Sequence, residues 1–222
     1  MSFDPAFVWA ALPDVLAAAG VTALVWVASA VLGLAAGFGV ALARRFAPRP
    51  VGVALALLVE VVRGSPFLVQ LFLLYYGGPY LGLSLDPLPA GLLALTVYAA
   101  AYDSEILRGG FAAVPPGHVE AAGCLGFTRA QTVLRIELPE MAVLVTPALV
   151  NMAILLLKET AVLSVITVPE LTLAVSAIGS STYRFAEALF LLALGYWSLV
   201  ECCGALGRRV EARLSRYRVA GA

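Results

Sequence analysis

The chain has 222 residues, 62% hydrophobic and 13% charged, with 14 basic against 14 acidic residues and a mean hydropathy of +0.96. Soluble domains carry roughly 45–50% apolar and about 25% charged residues, so this composition excludes an ordinary soluble core and predicts a bilayer-embedded protein. Zero net charge provides no basic field for nucleic acid, and Cys124, Cys202 and Cys203 have no zinc or redox spacing and read as small packing residues.

The first fourteen residues hold two aspartates and no Lys or Arg, so they lack the positive region of a cleaved signal peptide, and the first apolar segment is expected to remain as a span. A spanning helix needs about 20 mostly apolar residues. Five segments meet that length. The first covers about 15–43 and stops at Arg44 and Arg45. The second, about 51–77, is interrupted by Arg63-Gly64-Ser65-Pro66, where the proline predicts a kink. The third covers about 88–111. The fourth, about 141–166, contains Pro147, and the fifth covers about 185–206.

Eleven of the 14 basic residues cluster after the first, third and fifth segments, against Arg184 alone in the alternate loops. By the positive-inside rule this puts the N-terminus outside and the C-terminus in the cytoplasm. The tail, which includes Arg208, Arg209, Arg213, Arg216 and Arg218, reads as an anchor at anionic headgroups. The chain shows no repeat or long linker. It is expected to form one all-α integral membrane domain over 1–222, with five transmembrane helices.

A loop at about 112–139 follows the third segment. Pro115 and Pro116 can open a helix, and Val119, Ala121, Ala122 and Leu125 give it one apolar side. Gly126 then supplies a left-handed stop, and a second short segment ends at Leu138-Pro139. The expected shape is a helix–Gly–helix hairpin on the cytoplasmic surface.

Glu120-Ala121-Ala122, Gly126, Ile136, Leu138 and Pro139 fit E-A-A-x-x-x-G-x9-I-x-L-P. The loop thereby resembles the signature of permease subunits of ABC importers. The rest of the chain is similar to the polar amino-acid branch of that family, the histidine and glutamine type. The similar stretches are Arg63-Gly64-Ser65-Pro66 with Leu68-Val69-Gln70-Leu71, then Ala101-Tyr102, Glu105-Ile106 and Arg108-Gly109-Gly110, then Leu157-Lys158-Glu159-Thr160 and Pro169-Glu170-Leu171. Tyr98 stands where the branch usually has Asn, and Asp103 where it more often has an apolar residue.

The resemblance implies a type I ABC importer permease fold and an importer for a polar amino acid in the bacterial inner membrane. It further implies that the loop helix, with Glu120, Ala121, Ala122 and Gly126, seats on an ATP-binding cassette subunit. The implied partners are those ATPase subunits, a second permease in a homodimer or heterodimer, an extracytoplasmic binding protein and the lipid bilayer. No cofactor or metal is expected in this chain, since ATP and Mg would be bound by the ATPase. The only lysine, Lys158, follows Ile154-Leu155-Leu156-Leu157 and not a phosphate-binding loop, so this chain is not expected to be the enzyme.

Charges within a span cost about 2.5–3.5 kcal/mol on insertion scales and are functional candidates. At 1.5 Å per residue Tyr98 and Asn151 fall roughly 15–16 Å deep, near the midplane where importer sites lie. Tyr98, Tyr102, Asn151 and Lys158 are therefore the expected pore or ligand contacts, while Arg63, Glu105, Arg108 and Glu170 are assigned to a gate or to structure. Tyr98 and Tyr102 could equally be packing residues, and Lys158 with Glu159 an inter-subunit ion pair. Glu170 could face outer water, and Arg63 could bond carbonyls freed by the kink. Asp103 and Glu105 tilt the reading slightly toward a cationic amino acid.

The alternatives are a permease for another zwitterionic solute and a channel or carrier without an ATPase. The second leaves the loop unexplained. An intramembrane enzyme built on Asp103 and Glu105 is disfavoured, because residues two apart on a helix point in different directions.

Overall fold

The computed structural model describes residues 3–219, with side chains described through residue 214. Arg216 and Arg218 of the basic tail lie outside the residues with described side chains. Among the described residues nine α-helices follow one another in chain order. They are α1 (Pro5–Phe46), α2 (Arg49–Gly64), α3 (Phe67–Phe72), α4 (Pro87–Ala113), α5 (Pro116–Cys124), α6 (Arg129–Thr132), α7 (Leu138–Glu159), α8 (Leu171–Thr182) and α9 (Phe185–Val219). Among the described residues there is no strand.

The helix α1 starts about ten residues earlier than the hydropathy suggests. Asp4 caps it, its Oδ1 accepting the N–H groups of Ala6 at 3.0 Å and Phe7 at 3.4 Å, and Pro5 fits the first turn. Asp4 also pairs with Arg184, whose guanidinium holds the Asp4 carboxyl below its ordinary range, and its N–H donates to Glu187 Oε1 at 3.0 Å. The starts of α1 and α9 are thus tied at one end of the bundle. With 42 residues, α1 is about 63 Å long, twice the roughly 30 Å hydrocarbon core.

Buried positions recur along α1 every three or four residues, from Ala11 to Ala41, and form one stripe. Three apolar cores stack along it. Val15 and Ala18 pack with α8 and α9 near the Asp4 end. Val25 packs with Phe67, Leu71, Leu95 and Leu156 at mid-height. Ala41 packs with Leu107, Phe111 and Met141 at the arginine-rich end. Close approach of α1 and α4 needs small residues. A Cβ on Gly33 would collide with Ala99 Cβ, and one on Gly37 would lie 2.9 Å from Ala100 O and Asp103 Cβ. This is the small-xxx-small packing of membrane helices. Leu24, Val31, Leu57, Val61, Leu189 and Trp197 point outward, an apolar exterior suited to lipid.

The second predicted span is not one kinked helix. The stretch Arg49–Gly64 and the stretch Phe67–Leu81 meet at 108°. Pro66 cannot continue the ladder, so α2 stops at Gly64. Gln70 stabilises the corner, its Nε2 donating to Val62 O at 2.6 Å and to Ser65 O and Oγ, each at 3.0 Å. Arg63, the alternative donor to these carbonyls, instead stands with its guanidinium over the Tyr102 ring. A π turn, Leu73–Gly77, and a 3-10 turn, Gly78–Leu81, then lead to a left-handed Gly82 with φ 79°.

Among the described residues three helices are long and apolar enough to span a membrane, and a fourth if the bent pair counts as one crossing. The helix α4 falls short of that apolarity, because Asp103, Glu105 and Arg108 dilute it. It is nevertheless heavily enclosed, with Ala90, Leu95, Ala99 and Ser104 each at 1% exposure or less. The stretch around 168–187, between the fourth and fifth expected spans, contains α8. Its twelve residues are too few to cross.

Candidate functional site

The loop after α4 folds around Gly126. Pro116 stands in the first turn of α5, and Ala122 is buried at 2% while Glu120 and Ala121 face outward. The helix closes with Gly126 N–H donating to Gly123 O and Phe127 N–H donating to Ala122 O, both at 3.0 Å. That is a Schellman closure, and it requires the left-handed φ of 79° found at Gly126. Thr128 then caps α6 in a reciprocal capping box with Gln131.

Of the apolar residues in and just after α5, Ala122 is buried and Leu125 is 76% exposed. One expectation for this loop is corrected: Leu138-Pro139 does not end a separate second helix. The chain runs from α6 through a π turn, Val133–Glu137, into α7, and the wide turn accommodates the missing N–H of Pro139. After the Gly126 turn the backbone is therefore continuous from α6 into the long helix α7. His118 Nδ1 lies 2.6 Å from Glu140 Oε1, a second link between α5 and α7.

At mid-height α4 meets the α2–α3 corner. Phe67 packs edge-on against Tyr98 with ring centroids 5.3 Å apart, and Tyr98 lies 4.7 Å from Tyr102. The Arg63 guanidinium carbon stands 5.3 Å over the Tyr102 ring, and Tyr102 Oη donates to Arg63 O at 3.4 Å. The Glu159 carboxylate is near enough to Tyr98 to act on its hydroxyl electrostatically. A cation and two phenols from two elements thus meet at the corner, an arrangement able to receive a charged ligand group. Glu159 was not among the predicted contacts. Its neighbour Lys158 was, as an intramembrane cation available for a ligand carboxylate.

Asn151 and Lys158 lie elsewhere. Both are exposed on one face of α7, two turns apart, and Lys158 borders a cleft with Ala161, Tyr196 and Trp197 of the α9 side. Among the described residues no hydrogen bond, ion pair or ring contact joins them to Tyr98 or Tyr102.

Most of the other charges have partners within the chain. Glu105 accepts from Arg108 Nε at 3.1 Å and Nη2 at 2.8 Å and also pairs with Arg44 of α1. Arg45 Nη2 donates to the buried Glu137 at 2.5 Å. Glu170 does not face water. It is fully buried and caps α8, accepting from Thr172 N and Leu173 N at 2.8 Å and from Tyr196 Oη at 2.9 Å. Asp103 is buried against Gly37 without a hydrogen-bond partner among the described residues. No cluster of His, Cys, Asp and Glu able to hold a metal occurs among the described residues.

Residues 31–216 match the family described as the binding-protein-dependent transport system inner membrane component. The chain is 33% identical over 204 residues to the arginine transport system permease protein ArtQ of Bacillus subtilis (strain 168), covering 91% of this chain and 93% of that one. It is 34% identical over 194 residues to the L-cystine transport system permease protein TcyB of the same organism, covering 85% and 81%. A crystal structure of an amino acid ABC transporter with histidines contains a chain that superposes with a TM-score of 0.87 at 32% identity, over 96% of this chain and all of that one.

Proposed function

The chain belongs to the family of binding-protein-dependent transport system inner membrane components, and on that premise we propose that it is the membrane-spanning permease subunit of an ABC importer for a polar amino acid. The observation that carries this reading is the folded E-A-A loop. Glu120 and Ala121 are presented outward on α5, Gly126 closes the helix, and the chain continues into α7. Such an element can receive motion from a partner and pass it to the membrane core.

In this reading ATP hydrolysis is done by separate cassette subunits that seat on α5, and an extracytoplasmic binding protein delivers the ligand. A second permease subunit completes the path, since one bundle this small exposes Asn151 and Lys158 on an open face. The arginine-rich end is cytoplasmic, which puts the N-terminus outside. The Arg63–Tyr102–Tyr98–Glu159 set is the ligand-facing group, and Asn151 and Lys158 line the path toward the second subunit. A cationic amino acid remains the favoured ligand, on the surplus of unpaired acidic groups Asp103 and Glu159 in the spans.

The test is ATPase activity of the reconstituted complex with its binding protein and a panel of ligands. Stimulation by a polar amino acid is expected. Stimulation by a sugar, an inorganic anion or a metal chelate, with none by any amino acid, overturns the proposal. Stimulation by neutral amino acids alone removes the cationic preference.

A further inference from the structure

We infer that the cleft where α1, α2 and α4 converge at the arginine-rich end binds a phosphate group carried by an anionic phospholipid of the adjoining leaflet. The cleft encloses ≈ 530 Å³ and is lined by Arg44 and Arg45 of α1, Arg49 of α2 and Arg108 of α4, over apolar walls that include Val53 and Phe111.

Charge bookkeeping leaves this cleft electropositive. Glu105 receives Arg44 and Arg108, and Glu137 receives Arg45. Four guanidinium groups against two carboxylates leave a formal excess of two positive charges. Arg49 has no ion pair or hydrogen bond among the described residues. The paired arginines keep donors in reserve, because a guanidinium carries five N–H groups in a rigid fork. Arg108 spends Nε and Nη2 on Glu105, and its Nη1 makes no hydrogen bond. Arg45 is further held with its guanidinium 5.0 Å over the Phe111 ring. The carboxylates and the ring thus pre-orient the donors, which lowers the ordering cost of binding.

The backbone adds to this field. The first turn of α2 opens on the cleft with no side-chain cap, so the N–H groups of Arg49 and Val51 have no intrahelical partner at the positive end of the helix dipole. Gly52, also in the lining, adds no side chain to fill the space. Basic pockets between helices at the membrane surface bind anionic headgroups. The apolar side favours a lipid over a free anion. Val53 and Leu57 are exposed at 54% and 63% and continue from the cleft along α2, giving an acyl chain a track beside the headgroup.

This inference rests on the proposed function only for the identity of the leaflet, and its test does not read transport. The assembled transporter is delipidated and titrated with phosphatidylglycerol, phosphatidylcholine or glycerol phosphate, and retained molecules are counted by native mass spectrometry. Phosphatidylglycerol should bind in preference to phosphatidylcholine. The double variant Arg49→Gln, Arg108→Gln should lower its affinity at one site per copy by about tenfold or more, as expected for two basic groups at an anionic surface. Gly52→Leu, which keeps every charge and fills the cleft, should also weaken retention. Unchanged retention in both variants, or equal binding of phosphatidylcholine, overturns the inference. Displacement of the lipid by glycerol phosphate at equal concentration assigns the cleft to a free anion and overturns the lipid. Loss of the ATPase subunits from the double variant with lipid retention intact assigns the arginines to a protein contact instead.

Discussion

Arg44 of α1 and Glu105 of α4 form an ion pair that ties together the arginine-rich ends of the two helices at the centre of the bundle. Their side chains are 15% and 19% exposed, and Arg108 shares the same carboxylate. The residues sit 61 positions apart, so the pair is a tertiary lock on a helix contact made close by Gly33 and Gly37.

Neutralising this carboxylate should loosen the bundle. Glu105→Gln leaves two guanidinium groups without their acceptor charge, at a cost of about 1–3 kcal/mol. Thermal unfolding of the detergent-solubilised complex should occur at a lower midpoint than in the native protein. An unchanged midpoint would show that the pair contributes nothing to stability.

The coupling element should be sensitive at its turn. Valine at Gly126 must adopt a left-handed backbone at roughly 1–2 kcal/mol, which misaims α5, whereas Gly126→Asn should be tolerated. Glu120→Lys reverses an outward charge without touching the packed face. Gly126→Val and Glu120→Lys should both abolish uptake and leave ligand affinity of the separate binding protein intact. Normal uptake in both removes the main support for coupling through this loop.

Topology can be read with thiols. Ser84 is exposed between α3 and α4, while the natural Cys124 is exposed on α5 at the opposite end. In intact cells an impermeant maleimide should label a Ser84→Cys variant in a Cys124→Ser, Cys202→Ser background. It should not label Cys124 in the native chain until the cells are opened. The reverse pattern would invert the proposed orientation.

The ligand-facing set makes a graded prediction. Tyr102→Phe keeps the ring beneath Arg63 and should retain uptake. Tyr102→Ala removes it and should lower uptake by about tenfold, consistent with a cation–π contact of about 0.5–2 kcal/mol. Lys158→Ala and Asn151→Ala should reduce ligand-stimulated ATPase activity while the complex stays assembled. Full stimulation in both would exclude these residues from the path and leave the Tyr98 region as the site.

Much of this protein was legible before any coordinates. Apolar stretches marked the long helices because burial in lipid demands hydropathy over about 20 residues, a property of the chain alone. The left-handed turn at Gly126 followed from local sterics, which no distant residue can change. The spacing of Gly33 and Gly37 was a readable sign of close helix packing that hydropathy alone does not weigh.

What only the tertiary structure decided are the partners of the polar groups. Glu170 could be read as a gate, a structural group or a residue facing outer water, and it is sealed inside as a cap because Tyr196 on α9 and the first turn of α8 supply its donors. Arg63, assigned to a gate or to structure, could also have bonded the freed carbonyls, yet Gln70 takes them and the guanidinium stands over Tyr102. Lys158 and Glu159 are neighbours in sequence, but a rotation of about 100° per residue leaves Lys158 exposed beside α9 and Glu159 half-buried. Hydropathy and spacing report what a segment must bury. Which charge meets which depends on the packing of helices far apart in the chain, as with Arg45 and Glu137 at a separation of 92 residues.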